Sequence, residues 1–298
     1  MNYSAPLTLD KVAGYNVGWL PLVIHSALAN SVEDISANIE SALNGGYTSF
    51  TELIGSKSGA VAIVGSGPSL KENWKALRKF PGDIIACNAA CQFLLARGIV
   101  PKYMMCFDAD PLAIQFFTPH PDVTYLMASR CNPKAFEAVA GCKIVCWHAA
   151  GDERLVELLL KHNLPMEPMV LGGSAAVTRA MIMSLPMGYQ KIHIYGSDSS
   201  FANGDTHIRT STTKERRMAI KCAGRVFETA PWMAKQAEDF KTLIKTMREL
   251  PGIEFIVHGD GLIPHIAMMM GIKTDLENAF TRFIRESRWK ARVLWQHV

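Results

Sequence analysis

Residues 60–74 read AVAIVGSGPSLKENW: five apolar residues, then Gly65-Ser66-Gly67-Pro68-Ser69, then an amphipathic stretch. A short, continuously apolar run suits a strand covered on both faces, and the turn residues after it mark where the chain leaves the sheet. Gly65 and Gly67 permit close approaches that a Cβ would obstruct. Pro68 suits a first helical turn, and amides at a helix start, with the helix dipole behind them, hold anions. The stretch therefore predicts strand, phosphate-holding turn and helix, with Gly65, Ser66, Gly67, Pro68 and Ser69 as candidate nucleotide-binding residues. A purely structural turn is the plainer alternative.

The same alternation continues outward. Short apolar runs (DIIAC from 83, YMMCF from 103, VTYLM from 123, KIVCWH from 143, KIHIYG from 191, IEFIVH from 253) are separated by helically spaced segments such as CQFLLARG and ERLVELLLKH. Strand–helix alternation of this kind implies an α/β fold with a Rossmann-like, doubly wound, mostly parallel sheet. Residues 59–265 are the expected core domain. Residues 1–58 read as a helical N-terminal extension, with Ser31 as N-cap of a helix stopped at Gly45-Gly46. Residues 266–298 read as a basic amphipathic C-terminal helix. It packs on the core or on a partner subunit, or else lies on a membrane surface. The polar segment 203–229 reads as a long loop, disordered or a lid over a site; the stretch from Pro231 reads as a long helix.

The bulk composition narrows the class. The 298 residues suffice for one large α/β domain or two small ones. With 49% hydrophobic and 19% charged residues, the chain is not disordered throughout. A net charge of +4 permits anionic ligands and gives no strong nucleic-acid signal. Seven cysteines without a CxxC pair sit largely in apolar runs, as buried reduced thiols of a cytoplasmic protein would. The start, MNYSAPLTLDKV, carries no basic-then-apolar leader, and no apolar run reaches about 18 residues.

Two phosphate-binding patterns fail. The dinucleotide fingerprint wants a third glycine where Leu70 stands, and an acidic residue near the end of the next strand, where the chain has Cys87-Asn88. NAD is thus disfavoured. The P-loop pattern GxxxxGK[ST] is absent. Asn88 ends the second strand and faces either a crevice ligand or its own turn. Asp108 and Asp110, in YMMCFDADP, stand at a strand's carboxyl end. They hold Mg²⁺ or Mn²⁺ against a diphosphate, or they form an ordinary Asp-Pro turn. Gly173 and Ser174, with Ala175, open a second helix where amides can meet an anion. The next strand delivers Asp198 to its carboxyl end, and His207 follows nine residues later. That histidine is either inert surface or, beside a strand-end carboxylate, a general acid or base.

The ordered set IVGSGPSL, CNAA, MCFDADP, GGSAAVTRAMIMSLPMGYQKIHIYGSDSSF, GDTHI and GRVFETAPWM, within about residues 55–265, resembles the MptE-like family. That family includes archaeal 6-hydroxymethylpterin diphosphokinases and flagellin-modifying motility accessory factors. GSGPSL, the Cys-Asn dipeptide and the Gly-Ser helix start are also similar to those of bacterial CMP-sialic acid sialyltransferases. The resemblance implies that Gly65 to Ser69, Asn88 and Gly173 to Ala175 bind a nucleotide, and that Asp108, Asp198 and His207 face the transferred group. One departure is GGSAA, where the family more often has a β-branched residue after the serine.

The resemblance implies a nucleotide-dependent transferase with a small-molecule donor and a separate acceptor. The leading expectation is glycosyl transfer from a nucleotide-activated sugar to a hydroxyl. The alternative is an ATP- and Mg-dependent 6-hydroxymethylpterin diphosphokinase, with Asp108 and Asp110 on the metal. A third is a nucleotide-binding module without catalysis, whose basic C-terminal helix contacts a partner.

Overall fold

The computed structural model describes residues 30–202, 204, 205, 207, 208 and 217–276, together with the backbone of 7–9. The expected basic helix from residue 277 onward lies outside these. In chain order the strands are β1 (Leu7–Leu9), β2 (Thr48–Ser49), β3 (Ala60–Val64), β4 (Asp83–Cys87), β5 (Tyr103–Cys106), β6 (Thr124–Ala128), β7 (Lys143–Ala149), β8 (Met169–Val170), β9 (Lys191–Tyr195), β10 (Met218–Cys222), β11 (Arg225–Thr229), β12 (Glu254–Val257) and β13 (Lys273–Thr274). The helices are α1 (Val32–Asn44), α2 (Leu70–Leu77), α3 (Ala89–Leu95), α4 (Pro133–Glu137), α5 (Leu155–Lys161), α6 (Ala176–Met187), α7 (Pro231–Met247) and α8 (Leu262–Met269).

Ten strands form one sheet in the order β13-β12-β9-β3-β4-β5-β6-β7-β2, with β8 also paired to β7. Every pairing in it is parallel. The apolar runs behave as a doubly covered sheet requires: Val61, Ile63, Ile85, Met104 and Leu126 are all fully or almost fully buried. Each such side chain contributes about 1.5–3 kcal/mol by leaving water. Trp147, Tyr103 and Tyr125 are the bulkiest fully buried groups. Among the described residues no helix is long and apolar enough to cross a membrane. Among the described residues no disulfide joins any of the seven cysteines; six are buried and Cys142 is half-buried.

Local signals account for several element ends. Ser31 closes a capping box on α1: its Oγ accepts the Asp34 amide at 3.0 Å, and Asp34 accepts the Ser31 amide in return. Helix α1 stops at Gly45, and Pro231 sits in the first turn of α7.

The sheet runs past both ends of the 59–265 span. Strand β2 pairs with β7 on one side, and α8 crosses position 265 to reach β13, which pairs with β12. Residues 266–276 are thus helix end and edge strand, where a basic helix was expected. The segment 203–229 also differs from expectation. Its second half is a hairpin, β10 against β11, with β1 alongside β10 in a three-stranded sheet. Charged residues there mask a period-two pattern in which Ile220, Cys222 and Phe227 point inward.

Candidate functional site

The chain winds from β3 through β4, β5 and β6 to β7 in one direction, and from β9 through β12 to β13 in the other. Strands β3 and β9 are therefore neighbours across the topological switch point, where open α/β sheets form a crevice at the carboxyl ends of their strands. The two loops that leave these strands are laced together. The Gly65 amide donates to the Tyr195 carbonyl and the Gly67 amide to the Gly196 carbonyl, both at 2.8 Å. A cleft opens there, walled by the Gly65–Gly67 turn, Asn88, the start of α6, the 196–199 turn, His207 and the first turns of α7.

Asp198 is the buried carboxylate of this cleft, 4% exposed. Its Oδ2 accepts the Ser69 amide at 2.8 Å, and its Oδ1 has no hydrogen-bond partner among the described residues. Burial pushes its pKa up to about 6; the hydrogen bonds from Ser69 oppose the rise, and the Asp260 and Glu72 carboxylates add to it. Backbone closes on it from two sides. A Cβ on Gly67 would stand 2.3 Å from Asp198 Oδ2, and one on Gly261 would stand 2.5 Å from Asp198 Cα. The expectation that Gly67 clears space for a ligand phosphate is thus corrected: the space above its Cα holds the Asp198 carboxylate. The anion at the start of α2 is likewise the protein's own, because Asp198 takes the Ser69 amide. Ser69 and Pro68 lie on the far side of Asp198, in a second cavity.

The Gly172-Gly173-Ser174 turn shows a similar internal arrangement. Asp239, on α7, accepts both the Ser174 amide at 2.9 Å and the Ser174 hydroxyl at 2.8 Å, and it pairs with Lys235. Gly173 and Ser174 therefore serve the Asp239 contact and do not line the cleft. Its wall here begins at Ala175 and continues through Thr178. Ala175 is the N-cap of α6 and supplies no side-chain cap, so the first amides of this twelve-residue helix have no carbonyl of their own helix to pair with. The dipole and free amides of an uncapped helix start facing a cleft are chemically suited to an anion.

Asn88 has φ 49° and ψ −125°, a backbone state costly for any residue with a Cβ, and its Oδ1 is buried without a partner among the described residues. His207 reaches the cleft on the loop whose next amide, that of Ile208, donates to the Ser66 carbonyl at 2.8 Å. Its ring stacks on Trp232 with centroids 5.7 Å apart. Cleft residues Gly65, Ser66, Gly67, Asn88, Ala175, Asp198 and His207 are thus brought together, while Pro68, Ser69, Gly173 and Ser174 are not.

Asp108 and Asp110 stand apart from the cleft and serve their own turn. Asp108 Oδ1 accepts the Asp110 amide at 3.0 Å, and Asp110 Oδ1 caps the following 3-10 turn through the Leu112 amide at 2.8 Å. Among the described residues no three His, Cys, Asp or Glu side chains converge as a metal site. The two carboxylates fit backbone capping, and a metal between them is not supported by this geometry.

The sequence reading did not single out three contributors. Arg179 is buried inside α6, where its Nε donates to the Gly173 carbonyl at 3.0 Å and its guanidinium lies over the Phe107 ring at 4.2 Å. Burial lowers its pKa to about 10, still charged at neutral pH. Asp239 and Gly261 act through contacts between segments distant along the chain. A buried arginine in an otherwise apolar helix was the one available signal.

A family model described as 6-hydroxymethylpterin diphosphokinase MptE-like matches residues 33–204. Among solved structures, the MAf glycosyltransferase from Magnetospirillum magneticum AMB-1 aligns with a TM-score of 0.61 at 18% identity, over 82% of this chain and 38% of that one. At this identity the likeness establishes the fold. A mammalian sialyltransferase aligns with a TM-score of 0.40 at 12% identity, over 77% of this chain and 80% of that one. A curated DNA repair protein RecO of Heliobacterium modesticaldum is 30% identical over 110 residues. That match covers 35% of this chain, and the chain spans 36% of the length of that relative.

Proposed function

The chain belongs to the MptE-like family, and we propose that it is a nucleotide-dependent transferase moving a sugar from a nucleotide donor to an acceptor hydroxyl. One observation carries this reading. A buried carboxylate, Asp198, with a pKa raised to about 6, shares a switch-point cleft with the uncapped start of α6. The helix start suits the donor's phosphate; the carboxylate suits removal of a proton near neutral pH.

In the proposed step the acceptor oxygen attacks the sugar carbon bonded to phosphate. The new C–O bond forms as the old one breaks, and its electron pair leaves with the nucleotide phosphate. The acceptor's proton passes to Asp198. The α6 amides stabilise the charge that develops on the departing phosphate. His207, held against Trp232, supports the same phosphate or protonates it.

The second reading comes from the family's own description: diphosphoryl transfer from ATP to a hydroxymethyl group. The two differ in product. The chain is incubated with CMP-, UDP- and GDP-sugars plus a panel of hydroxyl acceptors, and with ATP plus 6-hydroxymethylpterin, each with and without Mg²⁺ and with acceptor-free controls, and the acceptor-dependent release of nucleotides is measured. Release of CMP, UDP or GDP from one sugar donor supports glycosyl transfer. Mg²⁺-dependent release of AMP from ATP alone supports the diphosphokinase.

A further inference from the structure

Helix α2 carries a lysine in its first turn, Lys71, where a cation works against the helix dipole. Its counter-charge comes from the loop that bears His207: Asp205 Oδ2, two residues before the histidine, accepts from Lys71 Nζ at 2.8 Å. We infer that Lys71 is a positioning residue, holding His207 at the cleft through Asp205 without touching substrate. The inference rests on the transferase reading above, in which His207 serves the departing phosphate, and adds what fixes that imidazole in place.

Three bonds, each of 2.8 Å, tie the stretch Asp198–Ile208 to the stretch Ser66–Lys71. The Ser69 amide donates to Asp198 Oδ2, Lys71 Nζ to Asp205 Oδ2, and the Ile208 amide to the Ser66 carbonyl. His207 stands between the last two, with one anchor two residues before it and the other directly after. Asp205 is itself held on its backbone, which exchanges amide–carbonyl bonds of 2.9 and 3.0 Å with Ala202. The ion pair therefore acts on a braced loop, and its pull reaches the histidine.

Position and stability separate here. The Lys71 side chain is 43% exposed and that of Asp205 22%, and a pair so exposed adds little to folding. Neither residue is among the described residues that line the cleft. What the pair sets is geometry, and a shift of about 1 Å in a reacting group can cost about 10²-fold in rate. A lysine against the dipole at the start of α2 breaks a local preference, and the bond to Asp205, 134 positions away, supplies the reason for it.

Breaking the pair and then exchanging its charges tests this on the full chain, with acceptor-dependent nucleotide release as the rate. Lys71→Ala and Lys71→Asp should each lower kcat by about 10–100-fold. The donor KM should stay within about threefold, and the melting temperature within about 4 °C of the parent. Lys71→Arg, which renews the pair, should recover most of the rate. Lys71→Asp combined with Asp205→Lys should regain at least about fivefold over Lys71→Asp alone, and Lys71→Ala should cost less than about twofold more once His207→Ala is present. A second readout needs no turnover. In NMR of histidine-labelled chains, the His207 ring signal is identified by its loss in His207→Ala. It should shift in Lys71→Ala, as its stack on Trp232 changes, and return in the exchanged pair. The inference is overturned if Lys71→Ala keeps the parent kcat, if the loss falls on KM instead, if the exchange regains nothing, or if the His207 signal ignores Lys71. A parent chain that transfers no sugar would overturn the transferase reading instead, and the NMR signal alone would then decide whether Lys71 fixes His207.

Discussion

The Asp198 carboxylate accepts the Ser69 amide at 2.8 Å across 129 positions of chain, and with that bond it joins the end of β9 to the start of α2. One oxygen is a structural cap, and the residue as a whole lines the switch-point cleft. A residue in both roles makes separable predictions about rate and stability.

Asp198→Asn keeps an oxygen for the Ser69 amide and removes the base. Transfer should fall by about 10²–10⁴-fold with nucleotide binding retained. In the unmodified chain the rate should rise with pH through about 6 and then level, and the variant should lose that limb. Stability moves the other way. The folded pKa lies above the unfolded value near 3.8, so the folded state binds the proton more tightly. That contribution is full below about pH 4 and lost as pH rises through about 6. Asp198→Asn should accordingly be more stable than the parent at pH 7, by about 1–3 kcal/mol, with the gap closing toward pH 4. Urea denaturation at the two pH values reads it.

His207→Ala should lower turnover by roughly two to four orders of magnitude while calorimetric nucleotide affinity stays within a few-fold. Unchanged turnover would remove His207 from the chemistry and leave it as packing on Trp232.

Gly67→Ala should destabilise the fold, because the new methyl meets Asp198 Oδ2 and the Gly196 carbonyl, 2.7 Å away. The expected loss is about 1–3 kcal/mol. Combined with Asp198→Ala, the penalty should shrink below the sum of the two single changes, since the smaller side chain vacates the contact. Strict additivity would show that the two residues do not press on each other.

Arg179→Met should destabilise by about 2–4 kcal/mol, since it removes the side-chain donor from the Gly173 carbonyl, leaves the Val170 carbonyl with the Ala150 amide as its remaining donor, and empties the stack on Phe107. The GGS turn should loosen with it, which hydrogen exchange of the Ser174 amide would register.

The strands and most helix ends were legible because their signals are local: continuous apolar runs, a capping box at Ser31, a proline in the first turn of α7. Asn88 and Asp198 were singled out by their places at strand ends and His207 by standing nine residues beyond Asp198 in a polar loop, whereas the strand order that sets the switch point came only from the fold. What could not be read is which anion a helix start faces. The Ser69 and Ser174 amides look like phosphate sites in sequence, yet Asp198 and Asp239 fill them from 129 and 65 positions away. Asp108 and Asp110 mislead for a related reason, since a DxD before proline makes the same local pattern whether it caps a turn or holds an ion. The β10–β11 hairpin hid because its outward face is charged.

The central claim is that nucleotide phosphate sits at the uncapped start of α6. Ala175→Asp tests it directly, because Ala175 occupies the N-cap with extended backbone (φ −114°, ψ 144°) and no cap bond. An aspartate there should cap the helix, raising stability by about 0.5–2 kcal/mol, and place a negative charge where the phosphate binds. Calorimetric titration of CMP, UDP, GDP and ATP into both proteins is the measurement. The account predicts a better-folded variant whose affinity for the preferred nucleotide is at least tenfold weaker; a stabilised variant that binds that nucleotide as tightly as the parent would contradict it.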